Sequence, residues 1–217
     1  MPPTAYLLDL YDTLARGDWL AWSLELAGLA GVTPEAIAEG FDRTRMQRNT
    51  GGYATAEEAL RQVLTYANAP DPDPELMAKI LAAEERFDDR ILLFDDALPT
   101  IAELRERGAR LALVSNCSNA TRQIVDRLGF EQLFDAVILS FELRVRKPDP
   151  GIYEAALEGI GADPADALFV DDQTDYCDGA RALGIDTRLI VRPEWVPPEG
   201  YAATNGHTVI GSLRELL

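Results

Sequence analysis

Hydrophobic positions fall into two textures along this chain. Ala5-Tyr6-Leu7-Leu8 is an unbroken apolar run that stops at Asp9, and mostly apolar runs of similar length cover residues 109–114, 136–139, 167–170 and 187–191. Runs this short, bounded by glycine or polar residues, predict buried strands, because a helix needs more length to show its period. Between them the spacing is helical: Pro99 to Arg107 with a stop at Gly108, Asn119 to Leu128 with a stop at Gly129, Asp149 to Gly159, and Gly179 to Leu183 with a stop at Gly184. Residues 208–210 and 212–217 predict a last short strand and helix. Strands alternating with helices pair in parallel through right-handed crossovers, so the fold class is α/β with a doubly wound parallel sheet.

Residues 16–95 have the second texture, helical with no strand. Trp19, Leu20, Trp22, Ser23 and Leu26 carry helical spacing, and Thr33-Pro34-Glu35 opens another helix with proline at its first position. Thr55 caps a third, and Asp71-Pro72-Asp73-Pro74 breaks the chain before a fourth from Glu75 to about Arg86. The expected division is a catalytic core of residues 1–15 and 96–217 with an all-helical insertion of residues 16–95.

Three of the expected strands end in polar side chains: Asp9, Ser115-Asn116 and Asp171-Asp172. In an open parallel sheet those ends share one edge, the edge at which ligands bind. Taken singly, Asp9 and Asp12 also fit a turn or a helix cap. The net charge narrows the partners: 20 Lys+Arg against 37 Asp+Glu gives a formal −17. Such a field repels nucleic-acid backbones and anionic membranes, so neither is expected as a partner. Arg43, Arg45 and Arg48, followed by Gly51-Gly52, are a basic cluster in an acidic protein, and Arg45 and Arg48 are candidates for binding an anionic substrate. A solvated helix face ending in a glycine stop fits them as well. Cys117 and Cys177 read as free thiols. The one histidine, His207, is expected at the surface, and a single histidine argues against a His-based triad or a multi-histidine zinc site. No apolar run is long enough to span a bilayer and no basic segment precedes the first one, which reads as a cytoplasmic protein.

These motifs, in this order, resemble the haloacid dehalogenase-like hydrolase superfamily, most of whose members are magnesium-dependent phosphatases. The resemblance spans the chain: Asp9-Leu10-Tyr11-Asp12-Thr13, then Ser115-Asn116, then Lys147 in Arg146-Lys147-Pro148, then Asp171-Asp172. It implies a Rossmann-like core with a cap in residues 16–95. It also implies Asp9 as a nucleophile forming an aspartyl-phosphate, and Mg2+ held by Asp9, the Tyr11 backbone carbonyl, Asp171 and Asp172. Lys147 would balance the carboxylates, and Ser115 with Asn116 would bind phosphoryl oxygens. The expected partner is a small phosphorylated metabolite, a sugar phosphate among the candidates, and a homodimer stays open.

One position departs from the pattern. The phosphatases usually carry a second Asp two residues after the nucleophile, as acid and base; here Tyr11 stands there, able to give a proton but a poor base. Asp followed by Tyr resembles the metal-independent 2-haloacid dehalogenases of the same superfamily. Asp171-Asp172 points the other way, since those dehalogenases carry serines there, and Asp12 stands where glycine is usual. Magnesium-dependent phosphohydrolase is therefore the leading reading, 2-haloacid dehalogenase the second. The third is a poorly active phosphate-binding or regulatory protein on the same fold.

Overall fold

The computed structural model describes residues 3–192 and 204–217. The chain runs β1 (Ala5–Leu8), β2 (Ala15–Arg16), α1 (Trp19–Ala30), α2 (Pro34–Asn49), α3 (Ala56–Tyr66), α4 (Pro74–Asp89), β3 (Leu92–Leu93), α5 (Ala97–Glu106) and β4 (Arg110–Ser115). It continues through α6 (Thr121–Arg127), α7 (Phe130–Leu133), β5 (Ala136–Leu139), α8 (Ser140–Leu143), α9 (Pro150–Ile160), β6 (Ala167–Asp171), α10 (Thr174–Ala182), β7 (Asp186–Ile190) and β8 (Thr208–Ile210). Six strands form one parallel sheet in the order β5-β4-β1-β6-β7-β8. This is the expected doubly wound α/β architecture. Among the described residues no helix is long and apolar enough to cross a membrane.

Period-2 alternation sorts the strand side chains between two helical layers. Ala5 and Leu7 join Ala112, Val114 and Phe169 under α9 and α10, while Tyr6 and Leu8 join Leu111, Leu113 and Val170 under α5 and α6. Every residue of β1 is buried, which is why its sequence is apolar throughout rather than alternating. Leu8 pairs with Leu113 on one side and Val170 on the other, so Asp9 leaves β1 level with the end of β6.

Helices α1 to α4 pack around a cluster of their own, including Leu26, Ile37, Leu60, Leu64, Met77 and Ile80. Thr55 caps its helix as expected, Thr33 caps the helix expected at Pro34, and Asp73, expected in the break before Glu75, caps a helix that starts at Pro74 instead; each accepts a backbone N–H of the first turn. The segments into and out of this block depart from expectation. No strand was expected within 16–95, yet Ala15–Arg16 and Leu92–Leu93 pair antiparallel as β2 and β3. A two-residue ladder has no period to read; it exists because the returning chain meets the departing one. Gly17 permits that crossing, since a Cβ there would lie 2.6 Å from Ile91 Cδ1 and 2.9 Å from Phe87 Cζ.

Two C-terminal expectations are corrected. The helix expected from Gly179 begins at Thr174, because the turn that starts it follows directly on β6. His207 is buried rather than exposed. Return of the chain to the sheet edge as β8 holds its Nδ1 2.6 Å from Thr187 Oγ1 and its Nε2 3.0 Å from Asp178 Oδ1.

Candidate active site

The three polar strand ends meet around one lysine. Lys147, fully buried, donates from Nζ to Asp9 Oδ1 at 2.5 Å, to Asp171 Oδ2 at 2.6 Å and to the Val114 carbonyl at 2.9 Å. Each acceptor ends a different strand, so the ammonium fastens β1, β4 and β6 where they emerge. Its charge also lies 5.4 Å from the Phe169 ring centroid and 5.3 Å from that of Tyr176. Asn116 fixes the lysine's backbone with a double bond of its own: Nδ2 donates to the Lys147 carbonyl at 3.0 Å, and Lys147 N–H donates to Oδ1 at 2.8 Å. Asp171 is held from its other side by the Gln173 N–H at 2.8 Å.

Negative charge is in surplus here. Burial lowers the Lys147 pKa, but Asp171 and Asp9 outweigh it and hold the ammonium protonated, with the net shift upward. Burial raises Asp9 and Asp171 despite the lysine, Asp171 to about 7. Asp172 is pushed up to about 8, first by burial and then by Asp171, Asp9 and Asp12, and Asp12 to about 6 by burial and Asp9. Two carboxyls thus face one ammonium, with Asp172 and Asp12 close enough for their neighbours' charge to raise them. Oxygens of Asp9, Asp171 and Asp172 lie within 4.8 Å of one another. An all-oxygen, strongly anionic donor set of this kind fits a hard divalent cation such as Mg2+, which would relieve the repulsion.

A family model for haloacid dehalogenase-like hydrolases matches residues 3–184. The chain belongs to that family. It is 31% identical to the human haloacid dehalogenase-like hydrolase domain-containing protein 3, over 96% of this chain and 90% of that one. It is 33% identical to the glyceraldehyde 3-phosphate phosphatase of Methanopyrus kandleri, over 88% of this chain and 85% of the relative. The fold is also that of the L-2-haloacid dehalogenase RSc1362, with a TM-score of 0.70, 24% identity, and coverage of 100% of this chain and 97% of that structure.

The remaining expected site residues of this family member fall in different places. Ser115 is fully buried at the end of β4, close to the Cys117 thiol, and its Oγ has no oxygen or nitrogen partner. Asn116 presents its side chain to Lys147 rather than to open space. Tyr11 turns its hydroxyl to Thr121 Oγ1 at 2.9 Å and its ring edge to Trp19, with centroids 5.4 Å apart. Burial pushes its phenol well above the ordinary range, so it stays protonated. Arg45 lies on the exposed side of α2, paired with Asp42 at 2.9 Å, and does not reach the site. Arg48 bonds within α2, to Thr44 and Phe41, and lines a cavity of about 140 Å³ with Tyr11, Trp22, Glu84, Asn116 and Thr121.

Asp12, Glu84 and Thr121 are residues that pattern reading missed. Asp12 has a left-handed backbone, φ 60°, which explains why glycine suits that position, and it lines a second cavity of about 260 Å³ with Trp19 and Asp172. Glu84 carried a signal. It sits four residues after Ile80 and three before Phe87, both buried, so a carboxylate occupies the apolar face of α4.

Proposed function

We propose that the protein is a magnesium-dependent phosphomonoester hydrolase acting on a small phosphorylated metabolite, with residues 16–95 serving as a cap over the sheet edge. The observation that carries this reading is the cluster of buried Asp9 and Asp171 with half-buried Asp172, three acidic side chains with a single lysine among them. The likeness to the archaeal phosphatase supports it.

In this reading Asp9 attacks phosphorus through a carboxylate oxygen. The P–O bond to the alcohol breaks as the aspartyl-phosphate forms, and the alcohol leaves with a proton. Water then attacks phosphorus, phosphate departs and Asp9 is regenerated. Lys147 keeps the Asp9 oxygen in place and offsets its charge, while Ser115 donates to a phosphoryl oxygen. Asp9, the Tyr11 carbonyl, Asp171 and Asp172 would hold Mg2+, which supplies charge neutralisation and in-line orientation of the phosphate. The cap closes the site and excludes water that competes for the electrostatics.

Hydrolysis of an aryl phosphate that requires magnesium and is abolished by Asp172→Ala is the expected result. Tyr11 and the dehalogenase fold likeness favour one rival, 2-haloacid dehalogenation with no metal. Halide released from 2-chloropropionate in the presence of chelator, with no phosphate release from any ester, would overturn the phosphatase reading.

A further inference from the structure

The cavity of about 140 Å³ between the helical block and the sheet edge is small, against the roughly 300–1,000 Å³ of pockets that take drug-sized ligands. Its floor is Tyr11, two residues from Asp9, and Asn116, which clamps Lys147. The larger cavity meets Asp12 and Asp172, on the side of the carboxylates assigned to the cation. The small cavity, which shares Tyr11 and Asn116 with that edge, is the space that the rest of a substrate would take with its phosphate at Asp9.

Its walls are chemically unfinished. Glu84 Oε2 and Trp22 Nε1 are both buried with no hydrogen-bond partner, one an acceptor and the other a donor. Each such group costs ~1–3 kcal/mol while unmet. A hydroxyl suits either, because it accepts a bond from a donor such as the indole N–H and donates one to an acceptor such as the carboxylate. Arg48 spends Nε on Thr44 Oγ1 at 3.0 Å and Nη2 on the Phe41 carbonyl at 3.0 Å, and stacks 4.8 Å from the Phe41 ring centroid. Its charge influences Glu84 without an ion pair within 4 Å among the described residues. Asp88 also lines the cavity, so two carboxylates stand against one guanidinium. A second acid on the substrate would be a third anion in that space.

We infer that this cavity receives the alcohol portion of the substrate, and that Glu84 and Trp22 select phosphate esters of small neutral polyols over esters whose tail carries a carboxylate. This rests on the phosphatase reading above. Burial, then Asp88, pushes Glu84 up to about 7, in keeping with a carboxyl that gains from a hydroxyl partner.

The test compares kcat/KM for glycerol 3-phosphate and for phosphoglycolate, with an aryl phosphate as reference, in the wild type, Glu84→Gln and Trp22→Phe. The wild type should favour the polyol ester by about 10- to 100-fold, the worth of one or two hydrogen bonds to a charged or buried partner. Both variants should narrow that ratio, Glu84→Gln by admitting the carboxylate and Trp22→Phe by losing the donor. Aryl-phosphate hydrolysis with no preference between the two tails overturns the inference and leaves the phosphatase reading standing. The same holds for a preference that neither variant moves. Failure to hydrolyse all three esters overturns both.

Discussion

The ionic cluster at the sheet edge and the helical wall that faces it are built on different principles, although Ser115 Oγ at the edge is also unpartnered. At the edge, Lys147, Asp9, Asp171 and Asn116 engage one another through bonds of 2.5 to 3.0 Å. On the wall, Glu84 and Trp22 each keep a buried polar atom without a partner, and Arg48 meets no carboxylate within ion-pair distance among the described residues. A closed network resists displacement and suits a reaction centre that must be positioned before substrate arrives. An open one leaves interactions for a ligand to complete. On the proposed reading, chemistry and selectivity are divided between the two parts of the chain, and each side can be broken separately.

Breaking the edge should have the largest effect. Lys147→Ala leaves Asp9 and Asp171 buried side by side with no cation between them. Removing one partner of a buried ionic group costs ~3–5 kcal/mol, and losing a preorganised charge at the reacting centre costs ~10²–10³-fold in kcat. Circular dichroism and aryl-phosphate turnover check both. A folded variant within tenfold of wild-type kcat would mean that the lysine holds the strands together without assisting the chemistry.

Loosening the wall should instead act through stability and pH. Burial raises Glu84 to about 7 from its ordinary 4.5, so the folded protein binds a proton there more tightly than the unfolded chain. The stability this provides is complete below about pH 4.5 and is lost as pH rises through about 7. Glu84→Gln removes that loss. The variant should therefore be more stable than wild type at pH 8 by ~1–3 kcal/mol after allowance for solvent screening, seen as a higher Tm, with the advantage shrinking toward pH 5. Asp88, also raised to about 7 by burial, gives both proteins a background slope of the same sign. Parallel Tm-against-pH curves for the two proteins would show that Glu84 is solvated in the free enzyme.

The same division decides what the sequence discloses. Asp9, Ser115 and Asp171 were legible because each directly follows an apolar strand, and parallel topology carries all such ends to one edge. The helices of residues 19–89 were legible through their apolar spacing, Pro34 after Thr33, and the Thr55 cap, signals that act locally. Residues that matter only across space were not. Arg45 and Arg48 are one helical turn apart on α2 and indistinguishable by composition, yet one pairs with Asp42 outside and the other faces the sheet edge. The β2–β3 ladder and the burial of His207 likewise depend on where a distant segment returns. Glu84 lies between these cases, since its place on the apolar face of α4 could be read from Ile80 and Phe87.

Tyr11 sits on the seam and gives the finest test of the division. Its backbone belongs to the Asp9 loop, while its ring packs on Trp19 of the helical block and its hydroxyl bonds Thr121. If the phenol protonated the leaving alcohol, Tyr11→Phe would cost about 10²–10⁴-fold in kcat, the usual worth of general acid catalysis. The geometry argues for less. A hydroxyl already committed to Thr121, in surroundings that hold its proton tightly, is an anchor for the loop rather than a donor to substrate. Tyr11→Phe keeps the ring contact and loses one hydrogen bond, so it should lower stability by ~0.5–1.5 kcal/mol and leave kcat within about threefold. A loss of a hundredfold or more, confined to esters with poor leaving groups, would return the acid role to this phenol and make the seam part of the reaction centre.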